Sequence, residues 1–137
     1  MSRIVNISWS NIELWVAMLK RQILLSGENF TGIYGLPRGG LIPAVMLSHQ
    51  LGIPLVDEYN TSNLNILVVD DIFDSGDTLK PYIVNGNATA VLQYRESSKP
   101  YKPRFIADTV KDSSWQKYPW ERRDSQPIQD YKKDGNN

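Results

Sequence analysis

Four aspartates, Asp70, Asp71, Asp74 and Asp77, fall within eight positions of the stretch ILVVDDIFDSGDTL, residues 66–79. An apolar run leads into them, and a small-residue turn, Ser75-Gly76, is set among them. Gly76 permits a tight bend with backbone N–H groups turned inward. Ser75 and Thr78 add hydroxyl donors, and the start of a helix adds partial positive charge. Residues 74–78 therefore have the makings of a phosphate cradle. Asp70 and Asp71 repel phosphate, but they can accept hydrogen bonds from vicinal sugar hydroxyls and attract a divalent cation. A strand, two acids and then a phosphate turn suggest a sugar phosphate lying across the strand end.

The elements that must hold these groups follow from periodicity and punctuation. Residues 8–26 read as a first helix, with Ser10 and Glu13 as a capping box and Trp9 with Leu14 as a hydrophobic staple. Ile12, Trp15, Val16, Leu19 and Ile23 share one helical face, and Gly27 ends the helix. Strands are expected at 31–36, 53–59, 65–71, 88–94 and 104–110. Helices are expected at 42–52, with Pro43 in the first turn, and at 78–84, where Pro81 is tolerable only near the start. Strands alternating with helices predict an α/β fold, a mostly parallel twisted sheet of about five strands flanked by helices. Ligands in such sheets bind beyond the carboxyl ends of the strands, where both PRGG (37–40) and DDIFDSGDT (70–78) fall. Residues 1–121 read as one domain and 122–137 as a polar, flexible tail.

Bulk properties narrow the function. Lys+Arg and Asp+Glu each number 15 in 137 residues, so the basic excess typical of nucleic-acid binders is missing. With no cysteine, disulfides, thiolate nucleophiles and cysteine-ligated zinc are excluded. No apolar run is long enough to span a membrane, and MSRIVNISWSNIELW does not read as a signal peptide. The expectation is a cytoplasmic protein with neither nucleic acid nor membrane as partner. The one histidine, His49, is read as structural.

The stretch VVDDIFDSGDTL resembles the phosphoribosyl pyrophosphate signature of the type I phosphoribosyltransferases: apolar residues, two acids, two apolar residues, then Asp-Ser/Thr-Gly-x-Thr. GIYGLPRGGLIPAVMLSHQLGIPLVD resembles the pyrophosphate-loop region of the same family, especially its bacterial xanthine-guanine members. Arg38 offers a fork of donors to pyrophosphate oxygens, and Gly39 and Gly40 let the backbone approach. The resemblance implies a cis peptide before the arginine, here Pro37-Arg38. DSSWQKYPWE (112–121) resembles the purine-site segment, which implies that Trp115 stacks on the base and that the Gln116 backbone carbonyl accepts from an exocyclic amine; Trp120 reads as a core aromatic. The family's base-reading lysine is replaced by Arg95, with Lys99 and Lys102 as rivals if the loop is shifted.

The resemblance covers about residues 3–121 and implies an enzyme. It would transfer the phosphoribosyl group to guanine, xanthine or hypoxanthine, giving the nucleoside 5′-monophosphate and pyrophosphate. Asp70 and Asp71 would hold the ribose hydroxyls and Mg2+, with Asp71 nearer the metal. Asp74, Ser75, Gly76, Asp77 and Thr78 would hold the 5′-phosphate, Arg38 and Gly39 the pyrophosphate. Asp74 would be the catalytic residue that takes or relays the N7 proton. A homo-oligomer, dimer or tetramer, is implied as well. The chain departs from the family where a long mobile segment usually folds over the site. Only NTSNL (60–64) separates two expected strands, so strand 53–59 must fray early, near Asp57, or the crossing must be taut. A reduced hood follows. That departure favours the alternative: a non-catalytic or weakly catalytic protein that binds phosphoribosyl pyrophosphate or nucleotide for regulation.

Overall fold

The computed structural model describes residues 3–121; the expected tail, 122–137, lies outside the described residues. Seven strands and three helices follow in the order β1 (Ile4–Asn6), α1 (Trp9–Ser26), β2 (Gly32–Gly35), α2 (Leu41–Leu51), β3 (Leu55–Val56), β4 (Ile66–Phe73), α3 (Lys80–Asn85), β5 (Thr89–Arg95), β6 (Phe105–Val110) and β7 (Trp115–Lys117). Five strands form one sheet in the order β3-β2-β4-β5-β6, every pairing parallel. β1 and β7 make a separate two-stranded parallel sheet, with Ile4 opposite Trp115.

Each face of the main sheet buries its own cluster. On one, α1 contributes Ile12, Trp15, Val16, Leu19 and Ile23 and α2 contributes Ala44 and Leu47, against Ile33, Leu67, Val69, Ala90, Leu92 and Phe105. These α1 residues are the face expected from periodicity. Each such side chain removed from water contributes about 1.5–3 kcal/mol. The other face is more sparingly covered. Leu36, Val68, Phe73, Leu79 and Val91 are overlaid by Tyr34, Tyr59, Tyr82, Tyr94 and Tyr101. Tyr59 meets Tyr82 edge-on, with centroids 4.7 Å apart. Burial, followed by the neighbouring phenols of Tyr34 and Tyr59 and the carboxylate of Asp70, pushes the Tyr82 hydroxyl above its ordinary pKa.

Several boundaries differ from expectation. The cap of α1 is Ser8 with Asn11, not Ser10 with Glu13. The Asn11 N–H donates to Ser8 Oγ (3.1 Å), and the Ser8 N–H donates to Asn11 Oδ1 (3.1 Å). Either serine suits a cap by type; tertiary position chose the earlier one. Trp9 and Leu14 are both about half exposed and form no staple. Trp9 instead leans on Trp120, 5.9 Å away. The expected strand 53–59 keeps only Leu55–Val56, so it ends early, as the short link to β4 required. Tyr59 in that link accepts from Asn85 Nδ2 (2.7 Å) and donates to Asn87 Oδ1 (2.6 Å), which ties residues 57–65 to α3. His49 lies exposed in the last turn of α2.

At the outer edge of β6, the Gln22 side chain of α1 donates to the Ile106 carbonyl (2.8 Å) and accepts from its N–H (3.2 Å). Among the described residues no helix is long and apolar enough to cross a membrane.

Candidate active site

The acid pair lies within β4, because the strand runs on to Phe73 instead of stopping at Asp71. Ladder pairing between β4 and β5 covers Val68, Val69 and Asp70, skips Asp71 and resumes at Ile72. The next ladder skips Leu92 in the same way. At this break the carboxylates serve their own backbone. Asp70 Oδ1 accepts from the Asp71 N–H (2.8 Å), and Asp71 Oδ1 accepts from the Ile72 N–H (2.8 Å). The two acids are unequal, as opposite strand faces require. Asp70 is buried. Asp71 is half-buried and directed at Gly39, where an added Cβ would stand 2.0 Å from Asp71 Oδ2.

Gly39 belongs to the loop between β2 and α2. The Pro37–Arg38 peptide is cis, and Arg38 is exposed. Gly40 is locked against the sheet: its N–H donates to the Leu36 carbonyl (2.9 Å), and a Cβ there would meet Val69 O at 2.6 Å and Asp70 Cα at 2.9 Å. Because β2 and β4 are neighbours, this loop and the acid pair meet at one strand end.

In the turn after β4 the expected tight bend at Gly76 is present, but the helix starts at Lys80, two residues later than expected. Gly76 has φ +90°, a left-handed conformation that glycine adopts freely. The Asp77 N–H donates to Ser75 Oγ (3.3 Å), and the Lys80 N–H donates to the Gly76 carbonyl (3.1 Å). Asp77 and Thr78 are exposed. Tyr101, from the β5–β6 loop, closes on Gly76 and meets Phe73 edge-on (6.1 Å). Lys99 and Lys102, in the same loop, are exposed.

Arg95 ends β5 and faces this turn. Its Nε donates to Asp74 Oδ1 (2.8 Å), its Nη2 to the Ser114 carbonyl (2.8 Å) and its Nη1 to the Asp112 carbonyl. The guanidinium carries five N–H groups, and these bonds use three of them. Beyond it, residues 112–118 are wired by side chains that sequence reasoning missed. Asp112 accepts from the Ser114 N–H (3.0 Å) and hydroxyl. Gln116 Nε2 donates to Ser114 Oγ (2.7 Å), and Gln93 Nε2 donates to Gln116 Oε1 (3.0 Å) and to Asp108 Oδ2 (3.1 Å). The Tyr118 hydroxyl donates to Gln93 Oε1 (2.7 Å) and also lies 3.3 Å from the Asp71 carbonyl. Burial first, then the charges of Asp71 and Asp70, push the Tyr118 pKa far above its ordinary value, so the phenol stays a donor. The available signal was Gln93, an amide inside the strand TAVLQYR that a buried strand must satisfy.

Trp115 is half-buried in β7, and its buried indole N–H has no hydrogen-bond partner among the described residues. The Trp115 N–H donates to the Arg3 carbonyl (2.7 Å), and the Ile7 N–H donates to the Lys117 carbonyl (2.8 Å). Alternation along a parallel ladder therefore turns the Gln116 backbone carbonyl away from β1. Trp120 stacks on Tyr118 at 4.8 Å, a packing role.

The Ser114 hydroxyl and N–H, in that order, hold the exposed Asp112 carboxyl below its ordinary pKa. A depressed folded-state value stabilises the turn above the unfolded pKa, and the contribution is lost as pH falls through the folded one. The Ser114 amide is therefore expected to stay protected from pH 8 down to about pH 4 and to lose protection below it. Hydrogen exchange against pH checks this; a loss already complete near neutrality would assign the turn's order to something else.

No family model matches the chain. Similar curated proteins include a xanthine-guanine phosphoribosyltransferase of Vibrio atlanticus, 27% identical over 137 residues, covering 84% of this chain and 87% of that protein. One from Gluconobacter oxydans is 22% identical over 140 residues, covering 84% and 83%. Among solved structures, a purine phosphoribosyltransferase from Pyrococcus horikoshii superposes with a TM-score of 0.72 at 25% identity, covering 89% of this chain and 96% of that one. This is the type I phosphoribosyltransferase fold. A Neisseria gonorrhoeae protein solved with bound ppGpp superposes equally well, with a TM-score of 0.72 at 24% identity, covering 90% and 92%. The chain is related to the 6-oxopurine phosphoribosyltransferases within that superfamily. The cis loop follows β2, the acid pair lies in the second half of β4, the 74–78 turn follows that strand, and Arg95 ends the adjacent β5.

Proposed function

We propose that the protein transfers the phosphoribosyl group of phosphoribosyl pyrophosphate to a 6-oxopurine. The bond from ribose C1 to pyrophosphate breaks, a bond from C1 to the base nitrogen forms, and the base loses a proton. The observation that carries this reading is the contact of Gly39 with the Asp71 carboxylate, which makes a loop suited to pyrophosphate continuous with acids suited to ribose hydroxyls. Catalysis of this kind rests on positioning and electrostatics around an oxocarbenium-like C1. Asp70 and Asp71 bind the ribose hydroxyls. Asp74, Ser75, Gly76, Asp77 and Thr78 hold the 5′-phosphate. Arg38 and Gly39 hold the pyrophosphate, and Trp115, the Gln116 carbonyl and Arg95 receive the base. Asp74 takes or relays the base proton.

Among the described residues no group of three or more His, Cys, Asp or Glu side chains gathers as a metal site. Mg2+ is commonly held by one or two carboxylates together with substrate phosphates, and the half-buried Asp71 carboxylate beside the pyrophosphate loop fits that pattern. Bound there, the ion would neutralise charge on the departing pyrophosphate.

The second reading, a regulatory nucleotide binder, is favoured by the pinned 57–65 link and by the fold's likeness to a protein solved with ppGpp. Pyrophosphate release from phosphoribosyl pyrophosphate, assayed with guanine, xanthine and hypoxanthine in turn, separates the two; absence of base-dependent release with every purine would defeat the transferase reading. In the same assay series, Trp115→Ala should raise the base dissociation constant roughly ten- to hundredfold, since stacking contributes about 1–3 kcal/mol. It should leave phosphoribosyl pyrophosphate binding nearly intact. Equal losses for both ligands would make Trp115 a packing residue.

A further inference from the structure

Arg95 joins two separated segments through one rigid plane. Asp74 belongs to the phosphate turn, while Asp112 and Ser114 belong to the segment that carries Trp115. The Arg95–Asp74 pair is mostly enclosed, with the two side chains 17% and 32% exposed, so solvent screens it only in part. A lysine could supply the charge and three donors from a single nitrogen, but not the planar fork that reaches these acceptors from three nitrogens. From Ser114 the hydrogen bonds continue through Gln116 and Gln93 to Tyr118. The base segment is thus joined to the phosphate turn at one end and to the core of the sheet at the other.

We propose that Arg95 is a positioning residue that couples the two halves of the site, so that filling the phosphate turn raises the affinity for the base. This rests on the reading of the site given above and goes further, because it assigns Arg95 an action between two ligands as well as a contact with one. An anion in the turn fixes residues 74–78. With Asp74 held, Arg95 is held, and the carbonyls of Asp112 and Ser114 take their places before the base arrives. The second ligand then finds an ordered segment, which is cooperativity without a large movement.

The test uses the full chain, with ribose 5-phosphate as the phosphate ligand and guanine as the base. Guanine titrations by calorimetry, with and without saturating ribose 5-phosphate, should differ by about fivefold or more in affinity. In Arg95→Met the ratio should fall to one, and Arg95→Lys should restore only part of it. Asp74→Asn weakens the same ion pair from its other side and should also lower the ratio, which keeps the idea open to refutation if Arg95→Met does not fold. A residue that merely stabilised the fold would change the separate affinities and leave their ratio alone. Independently of any base binding, ribose 5-phosphate should raise hydrogen-exchange protection at residues 112–117 in the parent and not in Arg95→Met. A ratio of one in the parent, a ratio preserved in the folded variants, or unchanged protection at 112–117 in the parent would each overturn the proposal. Absence of pyrophosphate release with every purine, alongside intact coupling, would remove the transferase reading and leave this one standing.

Discussion

Gly39→Ala is expected to weaken phosphoribosyl pyrophosphate binding by about a hundredfold, or about 2.7 kcal/mol, while costing the fold at most the bond from the Ile72 N–H to Asp71, about 1–3 kcal/mol. The added methyl would stand 2.0 Å from Asp71 Oδ2 and 2.7 Å from its Cγ. Those atoms are the far end of a flexible side chain, so the carboxylate can swing aside without moving the backbone. The swing removes an acceptor from the ribose and fills the approach to the loop with a methyl group. The neighbouring glycine provides the contrast. At Gly40 the new Cβ would meet Val69 O at 2.6 Å, Leu36 O at 2.7 Å and Asp70 Cα at 2.9 Å. All three are backbone atoms, and none can yield without separating the loop from β4. Gly40→Ala should therefore destabilise by about 3 kcal/mol or more. Calorimetric titration and thermal melts of both variants check the pair. Undiminished ligand affinity in Gly39→Ala would show that the loop and Asp71 do not share a ligand.

Asp71→Asn and Asp71→Ala should separate charge from scaffolding. An asparagine oxygen still accepts from the Ile72 N–H, the bond that Asp71 Oδ1 now makes. Asn should thus preserve stability and lower phosphoribosyl pyrophosphate affinity, in magnesium, by roughly a hundredfold, on the scale of losing one charge-assisted hydrogen bond of about 1.5–3 kcal/mol. Alanine removes the acceptor as well. The Ile72 N–H then loses its partner at the ladder break, and stability should fall by a further ~1–3 kcal/mol. Denaturant titration combined with ligand binding reads both quantities. If Asn and Ala prove equally stable, the carboxylate has no scaffolding role. If neither alters magnesium-dependent binding, Asp71 lies outside the site.

The five parallel strands and the buried face of α1 were legible because each is written locally, in apolar runs and 3.6-residue periodicity. The bend at 74–78 was legible for the same reason: a glycine, two hydroxyl residues and four aspartates keep fixed spacings. The small sheet of β1 and β7 was not. Each strand has three residues, and the pairing of Ile4 with Trp115 spans nearly the whole described chain, so neither segment shows a local signature. Residues 112–121 were singled out through resemblance, but the bonds that hold them were hidden. Gln93, Gln116 and Tyr118 act only after three strands and a loop have met, and no spacing announces that meeting. Arg95 was visible as a cation at a strand end. That it would be shared among Asp74, Asp112 and Ser114 was not, since hydrogen-bond direction depends on tertiary placement.

The contact between Gln22 and Ile106 bears on how the sheet meets other chains. An edge strand displays unpaired N–H and C=O groups that can template another strand. On β6 a side-chain amide answers both groups of one residue, so an incoming strand would have to displace part of α1 before it could pair there. On the opposite edge β3 offers only Leu55 and Val56, too short a template for a stable ladder. Both edges of the sheet therefore offer an incoming strand less free backbone than a long bare edge would.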